Sequence, residues 1–310
     1  MIKERYLWLF IILIFISAVG NYLFFQSKQI NEPVFMKHYY VKEYMEEDPE
    51  VRFSLYYLVN KHNPVTITSV RVDDSFHAYT ANENFGFWHH SNQISYEQQF
   101  THHYLMTSTL TVRLDSEIVM NNPSFSFQEV TVHLSDGTTQ TVNIGEIKIH
   151  PIKERNYTNI VDQRLSAGSS DHKQENYFIA LETLRIDNVV SSFDELLGNK
   201  INMKIDTDHE RVLEAYRKWN SHHFSDLADQ TWNQLPGVPL TESNMPISID
   251  EGYWANITTI TNQDFPSYLE FSIEVVGETE SGNSFNFPIY IYDRPYWDQE
   301  QINELIKKDK

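Results

Sequence analysis

The sequence predicts a mainly β fold: two tandem antiparallel β-sandwich (Ig-like) domains behind one N-terminal transmembrane helix, with minor helices in the second domain and at the C-terminus. Three observations predict it. Tyr6 to Phe25 reads YLWLFIILIFISAVGNYLFF, twenty residues without a charge. Aromatic residues make up 14% of the 310-residue chain, with 18 Tyr and 19 Phe against only 10 Gly, a bias toward strands because planar side chains pack well on a pleated surface. Several segments after residue 33 alternate apolar with polar residues, the period of a half-buried strand.

The apolar run has about the length a helix needs to cross a hydrocarbon core of roughly 30 Å. Lys3 and Arg5 precede it and Lys28 follows, so residues 1–5 are expected in the cytoplasm, residues 6–25 in the membrane and the rest outside. Tyr6, Trp8, Tyr22, Phe24 and Phe25 flank the span, where amphipathic rings favour the interface. The competing reading is a signal peptide cleaved after Gly20, for which Ala18-Val19-Gly20 supplies the small residues. Against cleavage, the run resumes as Tyr22-Leu23-Phe24-Phe25, which would leave a secreted product with an exposed aromatic N-terminus.

Residues 26–33, QSKQINEP, read as a short polar tether, and residues 34–150 as the first sandwich. Its strands are expected at Val34 to Met45, Val51 to Asn60, Val65 to Asp73, Leu110 to Leu114 and Val130 to Leu134. Asp136-Gly137 stands between two alternating segments and predicts a hairpin, because both turn residues need positive φ. Residues 151–176 lose the alternation and gather Ser, Gly, Asn, Asp and Lys, which predicts an interdomain connection. Residues 177–295 then read as the second sandwich, with strands at Tyr177 to Asp187, Lys200 to Ile205, Ile247 to Thr261, Tyr268 to Val276 and Phe285 to Tyr292. Gly277 to Gly282 is the expected turn of the last pair.

Thr207-Asp-His-Glu210 has the form of a capping box opening a helix with Val212, Leu213, Tyr216 and Trp219 on one face. Residues 296–310 predict a C-terminal helix with an acidic cap and lysines at its end, matching the helix dipole. The segments LEFSIEVVGETESGNSFNFPIYIYDRP and QEVTVHLSDGTTQTVNIGEIKIHP share a strand, turn, strand and proline exit. Duplication and convergence explain that pattern equally well.

The formal charge is −19, and residues beyond 30 carry 21 basic and 42 acidic side chains. With no Lys/Arg-dense window, the body has no means of attracting nucleic acid or an anionic lipid surface over long range. Cysteine is absent, which excludes disulfides, thiolate metal sites and a cysteine nucleophile. An exported body without disulfides points to a bacterial cell envelope.

Thirteen histidines include adjacent pairs at His89-His90, His102-His103 and His222-His223. Neighbours on a strand face opposite ways, so neither ring of a pair helps the other hold an ion. A zinc-type site would have to be assembled by the fold, for instance from His77, His90 and His103 with a carboxylate; surface and half-buried imidazoles are the plainer expectation. Asp206, Asp208 and Glu210 imitate a calcium loop, but Arg211 and Arg217 occupy the positions of its glycine and final glutamate. Helix capping accounts for these acids better.

The segment 82–92, NENFGFWHHSN, sets Phe85, Phe87, Trp88, His89 and His90 around Gly86. Such a loop can stack on a sugar or peptide, or fold its rings back onto the sandwich. No G-x-S-x-G, H-E-x-x-H, P-loop or dinucleotide fingerprint occurs, and no cofactor is implied. The sequence therefore favours an anchored binding module for an envelope protein, peptide or glycan over an enzyme. The alternative is an envelope hydrolase using a carboxylate pair or a His-based metal site.

Overall fold

The computed structural model describes residues 2–72, 76–80, 95–114, 123–152, 157–168, 172–196, 199–222, 230–262 and 267–309. The helices are α1 (Ile2–Ser27), α2 (His209–His222) and α3 (Gln299–Asp309). The strands are β1 (Val34–Phe35), β2 (Lys37–Tyr44), β3 (Glu50–Asn60), β4 (Ile67–Val72), β5 (Phe76–Thr80), β6 (Gln98–Gln99), β7 (His103–Arg113), β8 (Phe125–Leu134) and β9 (Thr139–Pro151) in the first half. In the second half they are β10 (Val161–Gly168), β11 (Lys173–Ala180), β12 (Leu184–Ser191), β13 (Ile201–Asp206), β14 (Val238–Pro239), β15 (Ile247–Ile249), β16 (Trp254–Thr261), β17 (Ser267–Thr279) and β18 (Ser284–Asp293).

Within α1, Tyr6–Ser27 is long and apolar enough to cross a membrane, with mean hydropathy 2.3 over 22 residues and no part buried in the body. The residues after it do not hang free. Ile30, the one apolar residue of QSKQINEP, enters the first core, and its backbone N–H and C=O both bond to the Asn60 side chain at 3.1 and 2.7 Å. The expected tether is thus built into the body.

Thirteen strands form one sheet in the order β1-β3-β7-β5-β4-β8-β9-β2-β17-β12-β15, with β6 on β7 and β18 on β17. Its first part rolls around a core of alternating residues such as Val51, Phe53, Leu55, Val70, Leu110, Val132 and Ile147. The roll closes because the opening strand changes partner. β1 pairs with β3, Met36 N–H still bonds to Tyr56 C=O, and from Lys37 onward β2 runs parallel to both β9 and β17. Among the described residues every other ladder is antiparallel, as expected.

His38 lies opposite Gly145 in the parallel β2–β9 ladder, and Gly145 has φ +97. A Cβ there would run into the His38 backbone. Gly145→Ala is therefore expected to cost more than about 2 kcal/mol, combining left-handed strain with a backbone clash. Urea unfolding would measure it, and a loss below 1 kcal/mol would show that the two strands can part without cost.

The second core lies between β17, β18, β12 and β15 on one side and a five-stranded sheet, β10-β11-β16-β13-β14, on the other. Leu269, Phe271, Ile273 and Val275 meet Phe285, Phe287, Ile289 and Ile291, and Phe178, Ile205 and Ile257 close the other layer. α2 covers the outer face of the five-stranded sheet, with Val212 buried and Tyr216 4.5 Å from Trp254, ring to ring. α3 returns to the first core, where Trp297, Ile302 and Ile306 are buried.

Two sandwich-like cores behind an apolar helix agree with the predicted fold class, but several local expectations need correction. Residues 161–168 and 173–180 are paired strands within the segment expected to be a connection. Tyr177 to Asp187 is broken by a turn into β11 and β12, and Ile247 to Thr261 into β15 and β16. The α2 cap is Asp208, whose Oδ1 accepts the Arg211 N–H at 3.2 Å, one residue later than the Thr207 box implies. The turn after β17 is closed at Gly282, with φ +83, while Gly277 sits inside β17 where the Arg185 backbone comes too close for any Cβ.

Candidate functional site

Of the residues singled out from sequence, Phe85, Phe87, Trp88, His89 and His90 lie outside the described residues. His77 is exposed on β5 and His103 is buried at the start of β7. Ala78 pairs with Val112, whereas His103 pairs with Asn60 at the other end of the strand. About 30 Å of strand separates the two imidazoles, so His77 and His103 cannot share an ion. Among the described residues no group of three or more His, Asp and Glu side chains could hold a metal. His103 is buried at the start of β7, and His102, in the bend just before it, is half-exposed.

The structure draws together a set that sequence spacing did not reveal. Among the described residues, β2 and β17 pair only from Lys37 to Tyr40 opposite Ser267 to Glu270. Beyond that point β2 stays with β9, while β17 stays with β18 and takes up β12 at Ile273. The strands diverge like the arms of a fork, leaving a cavity of about 360 Å³ lined by Lys42, Glu43, Glu270, Ser272, Tyr290 and Tyr292, among others.

Strand periodicity sets its chemistry. Tyr40 and Lys42 share a face of β2, Glu270 and Ser272 the matching face of β17, and Tyr290 and Tyr292 lie opposite Ser272 and Glu270 on β18. Lys42 Nζ bridges the fork to Glu270 Oε1 at 2.5 Å and also lies 5.4 Å from the Tyr40 ring centre. The Tyr290 and Tyr292 side chains remain 46% and 48% exposed, large rings presented to solvent beside a salt bridge. The Arg294 guanidinium stacks on Tyr292, 4.8 Å from its centre. Glu43, next to Lys42, alternates to the other side of β2 by the same periodicity.

Behind the groove stands an aromatic wall. Tyr56 and Tyr268 stack at 3.8 Å, His38 stacks on Tyr268 at 5.5 Å, and Trp297 Nε1–H donates to the Tyr268 hydroxyl at 3.2 Å. Burial pushes the Tyr40, Tyr56 and Tyr268 phenols above their ordinary pKa. The His38 ring is wholly enclosed: Nδ1–H donates to Ile144 C=O at 3.1 Å and Nε2 accepts the Tyr56 N–H at 3.0 Å. Desolvation holds its pKa down to about 3, with a smaller push in the same direction from Lys37.

A second cavity of about 330 Å³ lies under α2, lined by Tyr177, Asp206, Arg211, Gln234 and Asn256, among others. Two of its polar groups, Asp206 and Asn256, are bonded to neighbouring groups of the protein. Asp206 accepts from Arg211 Nε and Nη2 at 2.7 and 2.6 Å and from the Asp208 N–H at 3.0 Å. Asn256 accepts the Asn176 N–H and donates to Thr258. Two of the three acids that imitate a calcium loop thus serve α2, Asp208 as its cap and Asp206 as a brace on Arg211.

No protein-family model matches the sequence, and neither does any curated protein sequence. Solved structures with some likeness include alpha-2-macroglobulin from Salmonella, at TM-score 0.27 and 10% identity over 86% of this chain; the chain spans only 15% of that protein's length. The fibronectin(III)-like modules of Clostridium thermocellum CbhA give TM-score 0.19 at 7% identity, covering 85% of this chain and 95% of that one. The collagen binding domain of Erysipelothrix rhusiopathiae surface protein RspB gives 0.23 at 9% identity, covering 83% and 90%. Likenesses at this level say nothing of ligand or activity.

Proposed function

We propose that this chain is a membrane-anchored, extracytoplasmic binding module of a bacterial cell envelope whose ligand, an extended peptide, enters the fork between β2 and β17. The observation that carries it is the pair of exposed rings, Tyr290 and Tyr292, set beside the Lys42–Glu270 bridge where two strands part. Beyond Tyr40, β2 has no strand partner on the fork side among the described residues. An extended chain could add there by backbone hydrogen bonding and rest its side chains on the tyrosines. The anchor is the run Tyr6–Ser27.

The test is capture of the full chain, held in detergent, on arrays of extended envelope-derived peptides and glycans. Tyr290→Ala combined with Tyr292→Ala is expected to weaken peptide capture at least tenfold, each ring contributing roughly 1–2 kcal/mol, with unchanged thermal unfolding. Undiminished capture would remove the groove as the site. Loss on Trp88→Ala instead would move the site to residues 82–92, and capture by glycans alone would change the ligand class.

A further inference from the structure

The end of the first core nearest α1 is built differently from the rest of the body. Phe25 of α1 meets two imidazoles edge to face, His62 at 5.7 Å and His102 at 6.0 Å between ring centres, and Phe24 reaches His102 at 6.4 Å. Lys61 N–H donates to His102 C=O at 3.0 Å, tying the turn after β3 to the turn before β7. Lys28 Nζ lies 5.3 Å from the Phe24 ring centre, and Lys61 Nζ 5.3 Å from that of Tyr104, on which Tyr96 stacks at 4.6 Å. Together with the Asn60 bonds to Ile30, these contacts fix the level of both turns relative to the helix.

That level can be read from the helix. From Tyr6 to Ser27 the run is about 33 Å long at 1.5 Å per residue, against a hydrocarbon core of roughly 30 Å. Phe24 and Phe25 therefore lie at its outer boundary, and side chains in ring contact with them lie in the headgroup layer. We infer that the 61–63 and 101–103 turns are seated among the phospholipid headgroups of the membrane that α1 crosses, with Lys28, Lys61, His62 and His102 facing lipid phosphate. The inference rests on reading α1 as a membrane anchor. Tyr, Phe and Lys gathered at one level is the composition that favours a membrane interface. Exposed Glu32 is close in sequence to Ile30, and exposed Asp136 follows Ser135, whose N–H donates to Thr66 C=O just after the 61–63 turn, so the seating follows from the geometry of the helix junction and not from a surplus of positive charge.

The absence of cysteine makes any introduced thiol unique. The full chain, labelled with a fluorophore at Asn63→Cys or at Ser281→Cys, would be placed in phosphatidylcholine bilayers carrying a headgroup nitroxide. Asn63 is exposed beside His62. Ser281 follows β17, which runs parallel to β2 and away from α1, about 40 Å further out. Quenching at least threefold stronger at position 63 than at 281 is expected, from a chain that resists carbonate extraction. Equal quenching in a chain that resists extraction would overturn the seating and leave the anchor standing. Extraction by carbonate would overturn the anchor itself, and the seating with it.

Discussion

A chain ending at Tyr296 is expected to lose the first core while keeping the second. The missing segment carries Trp297, Ile302 and Ile306, all buried in the rolled part of the large sheet although they come from the far end of the sequence. At about 1.5–3 kcal/mol for each buried side chain, their loss costs roughly 5–9 kcal/mol, comparable with the 5–15 kcal/mol that typically holds a domain folded. Polar links disappear with them. Trp297 N–H donates to Gln98 Oε1, Gln98 Nε2 donates to Trp297 C=O, and Thr101 N–H donates to Gln299 Oε1. Limited proteolysis of the shortened chain should cut within residues 34–150 and spare the region from 160 to 291. A shortened chain that melts within a few degrees of the full one would show that α3 is an ornament on a core complete without it.

The second large effect is a dependence of stability on pH centred on His38. Its ordinary pKa of 6.5 applies in the unfolded chain, whereas burial holds it near 3 in the folded one. Above pH 6.5 the ring is neutral in both states and its full contribution is present. As pH falls from 6.5 toward 3, the unfolded chain takes up a proton that the folded chain refuses. Stability then drops by up to about 1.4 kcal/mol per pH unit, several kcal/mol in all, and the slope ends below the folded pKa. His38→Phe removes the titration but orphans the Tyr56 N–H and the Ile144 C=O, at about 1–3 kcal/mol each. The variant should therefore be weaker at pH 7, yet the gap to the wild type should close as pH approaches 4. Urea unfolding across this range decides it, and parallel curves would mean that His38 is not enclosed as described.

The sequence made legible what depends on neighbours in the chain. Asp136-Gly137 turns β8 into β9 as expected, although of the two residues only Gly137, at φ +85, has the positive φ expected of both, and the alternating runs became strands. Asp298 caps α3 by a reciprocal pair of bonds with Gln301, at 2.8 and 2.9 Å, as its acidic start implied. What failed depends on distant partners. β10 exposes much of its length, and β11 buries Glu175 and Asn176, so neither shows the apolar alternation on which a strand prediction rests. Some of their polar groups are held locally and across the sheet: Tyr177 donates to Glu175 two residues back on β11 at 2.9 Å, and the Asn176 N–H donates to Asn256 Oδ1 on β16 at 3.1 Å. The groove was beyond reach because Lys42, Glu270 and Tyr290 come from three strands joined only by the fold. One signal was available: in Ile289-Tyr-Ile-Tyr292 the isoleucines are buried and the tyrosines exposed, and two large rings on the outer face of a strand ask for a partner.

The double parallel pairing of β2 has a mechanical consequence. Its first residue follows the segment locked to the helix junction, and its far end lines the fork. On the proposed reading, in which a ligand fills the groove and α1 is held in a membrane, a pull on that ligand runs along the strand axis. β2 is held by seven register pairs to β9 on one side and four to β17 on the other. Such tension loads these rungs side by side in shear instead of peeling them one after another, and the strain is divided between the two hairpins that flank the strand.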